Sequence, residues 1–380
     1  MRIEGDWIRA AGVQEILRLL TDAGHQAYLV GGCVRNDLIG QPVADIDIAT
    51  DARPERVLQL AERAGIRAVP TGVDHGTVTL VAEGEPHEVT TFRRDVETDG
   101  RRAKVVFSTD IAEDAARRDF TMNALYADAG GEVVDPLGGL ADLTARRVRF
   151  VGDADARIRE DFLRILRFFR FHAWYGDPEA GMDADALAAC ASNADGIETL
   201  SRERIGHEMR RLLGAPDPAP AVAAMQALGI LARLLPGAEG RALAPLIALE
   251  AGMAPDWVRR LAVLGGQGRC DALRLSRDEA RRLDLLSEAI GSTAAPAELA
   301  YHHGPEIARD ALLSRAAVLG TALPEDWSRE VGRGASARFP VSAADLMPEY
   351  SGPALGARLK ELEARWVASG FRLSREQLLT

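Results

Sequence analysis

Over roughly the first 150 residues, short apolar β-branched runs alternate with helical spacing; beyond that point only helical spacing remains. Residues 27–30 (AYLV), 46–49, 78–81 (VTLV), 88–92 and 105–107 concentrate Val, Ile, Thr and aromatic residues, which predicts strands. Segments 7–20 and 54–64 repeat apolar residues at helical intervals, and Pro54 suits a first helical turn. Later segments, among them 156–174, 186–191, 202–213 and 219–228, predict helices broken by Gly/Pro punctuation at 214–220 and 291–296. The pattern predicts an α+β fold: a small sheet-bearing head over 1–150, then an all-helical remainder.

Composition narrows the class. A chain of 380 residues, 47% apolar and 27% charged, is too apolar for disorder and long enough to bury a core without disulfides. No run reaches the ~18 apolar residues of a membrane span, and the first residues lack a secretory layout, so a cytoplasmic, non-membrane protein is expected. Cys33, Cys190 and Cys270 are odd in number and far apart, with no CxxC or Cys/His zinc spacing. A net charge of -11 argues against a general nucleic-acid coat and leaves room for local basic patches. Those would be arginine, since Lys104 and Lys360 are the only lysines.

The chemistry concentrates in the head. Residues 44–50 read ADIDIAT; on a strand, Asp45 and Asp47 share one face and Ile46 and Ile48 the other. Paired carboxylates repel unless a cation lies between them, and Mg²⁺ favours such oxygen ligands. Alone, DxD is equally the pattern of a solvated strand face. Upstream, AYLV runs into Gly31-Gly32 and then Cys33-Val34-Arg35-Asn36. Two glycines between strand and helix let backbone N–H groups approach a phosphate, and Arg35 on the first turn could pair with a triphosphate oxygen. The spacing is neither GxGxxG nor GxxxxGK[ST], which disfavours Rossmann and P-loop readings. Glu88 opens a later strand and could bring a third carboxylate to the pair.

With these residues together, VGGCVRNDLIGQPVADIDIAT resembles the first signature of the polymerase-β-like nucleotidyltransferases. It is similar to their class II branch, which holds CCA-adding tRNA nucleotidyltransferases and bacterial poly(A) polymerases. Arg117–Leu125 (RRDFTMNAL), Asp135-Pro136-Leu137-Gly138-Gly139 through Asp142-Leu143, and Glu160–Phe171 (EDFLRILRFFRF) resemble the next three signatures, in family order. One departure stands out: Asn36 occupies a position where the family usually has aspartate.

The resemblance implies a polymerase-β-like head over 1–150, a helical neck with a nucleotide-reading helix over 151–215, and a tRNA-binding body and tail over 216–380. It implies that Asp45 and Asp47 hold two Mg²⁺ ions, that Glu88 helps position the catalytic one, and that Gly31, Gly32 and Arg35 hold the triphosphate. Arg118 and Asp119 would contact the nucleotide's phosphate and ribose. Asp161, Arg164 and Arg167, spaced i, i+3, i+6, would lie along one helical face with Arg170 nearby and Glu160 orienting the pair. As a reader, Asp161 accepts from the exocyclic amine of cytosine or adenine while Arg164 donates to the ring nitrogen; uracil and guanine present a carbonyl instead.

The implied reaction adds C, C and A from CTP and ATP to the tRNA 3′ end without a nucleic-acid template, with the acceptor and elbow regions of tRNA as partner. Segment 93–116 resembles the family's flexible loop and contains Asp99-Gly100 and Arg101-Arg102; its full length favours addition of both bases. The absence of a basic insert after the DxD favours CCA addition over poly(A) synthesis. A catalytically silent RNA-binding relative and a small-substrate nucleotidyltransferase are the other classes the residues allow. In the tail, 339–366 includes Gly352-Pro353, Gly356, Arg358 and Lys360, residues suited to meeting an RNA backbone.

Overall fold

In the computed structural model, which describes residues 1–99 and 102–380 and the side chains outside 95–104, the β-branched runs of the head become nine strands. They are β1 (Ala27–Val30), β2 (Asp47–Thr50), β3 (Arg67–Gly72), β4 (Thr77–Ala82), β5 (Glu85–Thr91), β6 (Arg93–Asp99), β7 (Arg102–Phe107), β8 (Tyr126–Ala127) and β9 (Val133–Val134). Seven form one mixed sheet in the order β3-β4-β5-β2-β1-β8-β9, in which β2 and β5 run parallel and the other neighbours antiparallel. The polar stretch 93–116, expected to be a loop apart from the strand run 105–107, pairs β6 with β7 as a separate hairpin and ends in a helix; Gly100 and Arg101 lie outside the described residues.

Helices of the same unit are α1 (Ala11–Thr21), α2 (Gly32–Leu38), α3 (Pro54–Ala64), α4 (Ile111–Ala116), α5 (Gly139–Thr144), α6 (Ala154–Glu160), α7 (Leu163–Tyr175), α8 (Ala184–Ser192) and α9 (Arg202–Leu213). Helix α1 buries Val13, Ile16, Leu17 and Leu20, an i, i+3, i+4, i+7 stripe that lies against β4. Ile48, Val78, Leu80 and Val89 are buried, leaving the alternate positions Asp47, Thr79 and Glu88 on the other face of the sheet. Phe120 packs in tilted ring contact with Phe150 and Phe171 at 5.0 and 4.8 Å between centroids, which fastens the signature loop before β8 to α7.

The chain forms two compact units, 1–212 with 227–234, and 213–226 with 235–380. The second is helical: α10 (Ala219–Ala227) begins in it, α11 (Ile230–Leu234) belongs to the first unit, and α12 (Leu243–Leu249), α13 (Trp257–Leu264), α14 (Arg269–Ala272), α15 (Arg277–Gly291), α16 (Pro296–Leu319), α17 (Trp327–Ser336), α18 (Gly352–Ala368) and α19 (Arg375–Leu379) follow. Its centre holds a buried ionic network: Arg259 bonds Glu250 and Asp310, while Arg260 bonds Glu250 and caps the carbonyl of Leu213. Helix α16 kinks at Gly304 (φ 84°), where Pro305 removes a backbone donor. Among the described residues no helix is long and apolar enough to cross a membrane.

Candidate active site

Parallel pairing of β2 with β5 sets Asp47 opposite Glu88. Asp45 lies two residues ahead of β2, exposed, in an irregular segment, so strand alternation governs Asp47 but does not reach Asp45 as the sequence pattern predicts. All three acids border one cleft of about 830 Å³, whose far wall is Trp7 and the start of α1. Among the described residues none of the three has a side-chain hydrogen bond or ion pair. Asp47 is exposed at the rim yet crowded: desolvation raises its pKa, Glu88 and Asp45 add to the rise, and Arg118 opposes it. As the side chains stand, no three acids among the described residues converge closely enough to enclose a metal ion.

Between β1 and α2, Gly31 adopts φ 75°, which disfavours any side chain, and a Cβ there would come within 3.4 Å of Arg118 Nη1. The glycine turn and Arg118 therefore lie side by side. Arg35 behaves differently. It is 6% exposed, stacks over the Tyr175 ring at 4.0 Å, and donates to Tyr175 Oη (3.0 Å), Asn36 Oδ1 (2.8 Å) and Asn123 Oδ1. Its guanidinium therefore serves the protein's interior, where the sequence reading gives it to a triphosphate.

The second signature is held from behind by Asp114, a buried acid that receives Arg117 Nε (2.8 Å), Arg118 Nη2 (3.0 Å) and Tyr126 Oη (2.7 Å). Burial opposes the charge on Arg118, but Tyr126 and Asp114 outweigh it and raise its pKa. Asp119 accepts from Phe120 N (2.8 Å), Asn123 Nδ2 (2.9 Å) and Arg167 Nε (2.8 Å). Burial alone would raise its pKa; the Arg167 charge and these hydrogen bonds win and hold it at about 2. In the third signature Asp135 accepts from Gly139 N and Asp142 from Thr121 Oγ1, which are structural bonds within the head.

The predicted single helix over 156–174 is two helices. Asp161 (φ −158°, ψ 105°) ends α6, and its Oδ1 accepts from Leu163 N at the start of α7. Asp161 and Arg164 consequently do not form the expected ladder. Arg164 bonds Glu160 Oε2 and the carbonyl of Arg157, while Asp161 Oδ2 accepts from Arg204 of α9 at 2.6 Å. Arg170 pairs with Glu208 of α9, both 3% exposed, and Glu208 also faces Arg167 at 3.8 Å. Neither Glu208, Asp114 nor Arg204 belongs to a motif that the sequence marks as part of the site. Asp114 carried a signal in its i+3 and i+4 arginines; Glu208 did not, because its partners lie 38 and 41 residues away on another helix.

The sheet, the glycine turn and the facing acids are those of a polymerase-type nucleotidyltransferase head. Residues 27–149 match the family described as poly A polymerase head domain, and 181–240 match that described as probable RNA and SrmB-binding site of polymerase A. The chain is 33% identical to the mitochondrial CCA tRNA nucleotidyltransferase 1 of Mus musculus over 387 residues, 97% of this chain and 89% of that protein. It is 41% identical to the CCA-adding enzyme of Geobacillus thermodenitrificans over 224 residues, 58% of this chain and about half of that one, 54%. The crystal structure of the Bacillus stearothermophilus CCA-adding enzyme in complex with CTP superposes with a TM-score of 0.71 at 29% identity, over 97% of this chain and 95% of that one. The chain belongs to the family of CCA-adding tRNA nucleotidyltransferases.

Proposed function

We propose that this chain restores the 3′ end of tRNA, adding C, C and A from CTP and ATP and releasing pyrophosphate at each step. The observation that carries the reading is the register of Asp47 with Glu88, two carboxylates without side-chain partners, beside an Arg118 that the glycine turn approaches closely. Asp45 and Asp47 are the residues to hold Mg²⁺. Their hard oxygen donors and the raised pKa of Asp47 fit a cation; because only a few protein oxygens converge, triphosphate and water complete the ligand set, the usual manner of Mg²⁺ binding. When bound, the two ions supply charge neutralisation at the α-phosphate and a more acidic RNA 3′-hydroxyl.

The chain's own residues do the rest. Gly31 and Gly32 give the triphosphate room beside Arg118, whose guanidinium Asp114 and Tyr126 keep charged and aimed. Asp119, ionised through its bonds to Arg167 and Asn123, fixes the Arg167 fork on α7; both its oxygens are already doubly engaged, so it meets the ribose by exchanging one of these bonds. For reading, Asp161 and Arg164 face the base edge, with Arg164 exchanging Glu160 for the ring nitrogen and Asp161 exchanging Arg204 for the exocyclic amine. These pairs are part-buried, so a complementary base gives Asp161 and Arg164 a new partner each while Glu160 keeps Arg157 and the part-exposed Arg204 turns to water, whereas uracil or guanine leaves both readers unpaired. Body and tail hold the acceptor and elbow of tRNA, the domain division follows the head, neck and body-tail boundaries read from the sequence, and the cytoplasm is the site of action.

The test is incorporation of labelled CTP and ATP into tRNA ending at its discriminator base, with Asp47→Ala as the control. Wild type should extend the RNA by three nucleotides, and the variant should bind tRNA with similar affinity and extend nothing. Extension by the variant at the wild-type rate would refute the assignment of the acids. Addition of adenosine alone, without need of CTP, would make the chain a poly(A) polymerase.

A further inference from the structure

We propose that Asn36 is a positioning residue that fixes the Asp45-bearing segment and ties it to the reader helix α7; the role rests on the nucleotidyltransferase reading above. Both ends of its carboxamide are committed. Oδ1 accepts from Nε and Nη2 of Arg35 at 3.1 and 2.8 Å, and Nδ2 donates to the carbonyl of Pro42 at 2.8 Å. A guanidinium only donates and a carbonyl only accepts, so the orientation of the amide is settled by its partners. The main-chain carbonyl of Asn36 takes part as well, accepting from Gln41 N at 2.8 Å.

Past that point the chain is on its own. Among the described residues, 43–46 make no hydrogen bond outside the sheet ladder before β2 begins at Asp47. Pro42 is therefore the last anchored position ahead of Asp45, and Asn36 supplies its side-chain anchor. The other arm leads to the nucleotide reader. Arg35 reaches Tyr175 Oη, at the end of α7, and Asn123, which donates to Asp119, the partner of Arg167. A relay thus joins the acid segment to α7 at Arg167 and at Tyr175, its last residue, with the buried Arg35 as its hub and Asn36, among the described residues, as its link to the segment that carries Asp45.

Only an amide can serve both arms. An aspartate, the residue the family resemblance leads one to expect here, accepts from Arg35 at least as well but has no hydrogen for Pro42. It would set a negative oxygen against that carbonyl. Asn36→Asp therefore isolates the tether, since it keeps the Arg35 partner and removes only the bond to the acid segment.

The experiment compares full-length wild type, Asn36→Asp and Asn36→Ala by calorimetric titration with Mn²⁺, by the Mg²⁺ dependence of CTP incorporation, by KM for CTP and by melting temperature. The aspartate variant should bind Mn²⁺ about 10-fold more weakly and need about 10-fold more Mg²⁺, the low end of what supporting residues of metal sites contribute, with KM and melting temperature unchanged. An added negative charge by itself attracts a cation, so a weakening cannot come from simple Coulomb attraction. The alanine variant should show the same weakening together with a lower melting temperature, because Arg35 loses an acceptor; if Asn36→Asp does not fold, the alanine variant carries the metal comparison. Unchanged Mn²⁺ affinity in the folded variants, or a loss that appears only with a fall in melting temperature in both, overturns the proposal. Should wild type bind Mn²⁺ yet transfer no nucleotide, the functional reading fails while the calorimetric comparison still decides the role of Asn36.

Discussion

Replacing Asp47 by asparagine should make the metal-free protein more stable while abolishing its activity. Neighbouring strands lie about 4.8 Å apart, so carboxylates at the paired positions Asp47 and Glu88, on one face, keep their charges about 5–6 Å apart. Coulomb repulsion at that distance is about 0.8 kcal/mol at the dielectric constant of water and about 3 kcal/mol at an effective value near 20. Both acids are exposed at the cleft rim, which favours the low end, about 1 kcal/mol. Asparagine keeps the shape and removes the repulsion, so the variant's first unit should melt about 2 °C higher in EDTA. Mg²⁺ should reverse the order: at about ten times its dissociation constant it adds about 1.4 kcal/mol to wild type and much less to the variant.

The pH dependence has a defined sign. Because the pKa of Asp47 is raised in the folded state, folded protein holds a proton that unfolded chain has lost. Asp47 therefore contributes stability to the metal-free protein that is lost as pH rises from the unfolded value, about 3.9, through the raised folded value, against the opposite slope of carboxylates held low such as Asp119, so it is read as the difference between wild type and variant. The variant lacks that slope. Differential scanning fluorimetry across this range, with EDTA or Mg²⁺, reads all three effects. A variant that melts below wild type in EDTA, or that gains as much from Mg²⁺, refutes the electrostatic account of the acids.

Other substitutions probe the rest of the site. Glu208→Ala leaves the Arg170 guanidinium buried without its partner and should destabilise the protein by about 3–5 kcal/mol, read from the urea midpoint. Arg164→Ala should relax selection for C and A, so that sequenced products from all four nucleoside triphosphates contain U or G; unchanged base choice would remove Arg164 from the reader. Gly139→Ala places a Cβ on the carbonyl oxygen of Thr121 and should lower stability by about 1–3 kcal/mol, since backbone rather than a flexible side chain must give way.

Much of this site is written in local pattern. The strand of 27–30, the glycine turn and the placement of Asp47 follow from β-branched runs and punctuation, and helix 54–64 has the bounds that Pro54 and Gly65 dictate. Glu88 was reachable because one strand run placed it where a parallel neighbour would. The features that escaped depend on distant partners. The local mark of the break at Asp161, a carboxylate that can accept from Leu163 N, is masked by the helical spacing of 156–174, and its other oxygen is held by Arg204, 43 residues away. Arg35 looks like a phosphate ligand until Tyr175, 140 residues on, closes over it. Strands β8 and β9 are two residues each, too short for any period to register. In the hairpin of β6 and β7 only the run 105–107 at the end of β7 reads as strand; the rest is so polar that its composition reads as loop.

The most direct test of the central claim is the sequence of the product. Incubated with tRNA lacking its 3′ end, Mg²⁺ and all four nucleoside triphosphates, purified protein should yield RNA that ends in CCA and grows no further. A product of a different sequence, a tail that continues past three residues, or RNA left unextended would contradict the account.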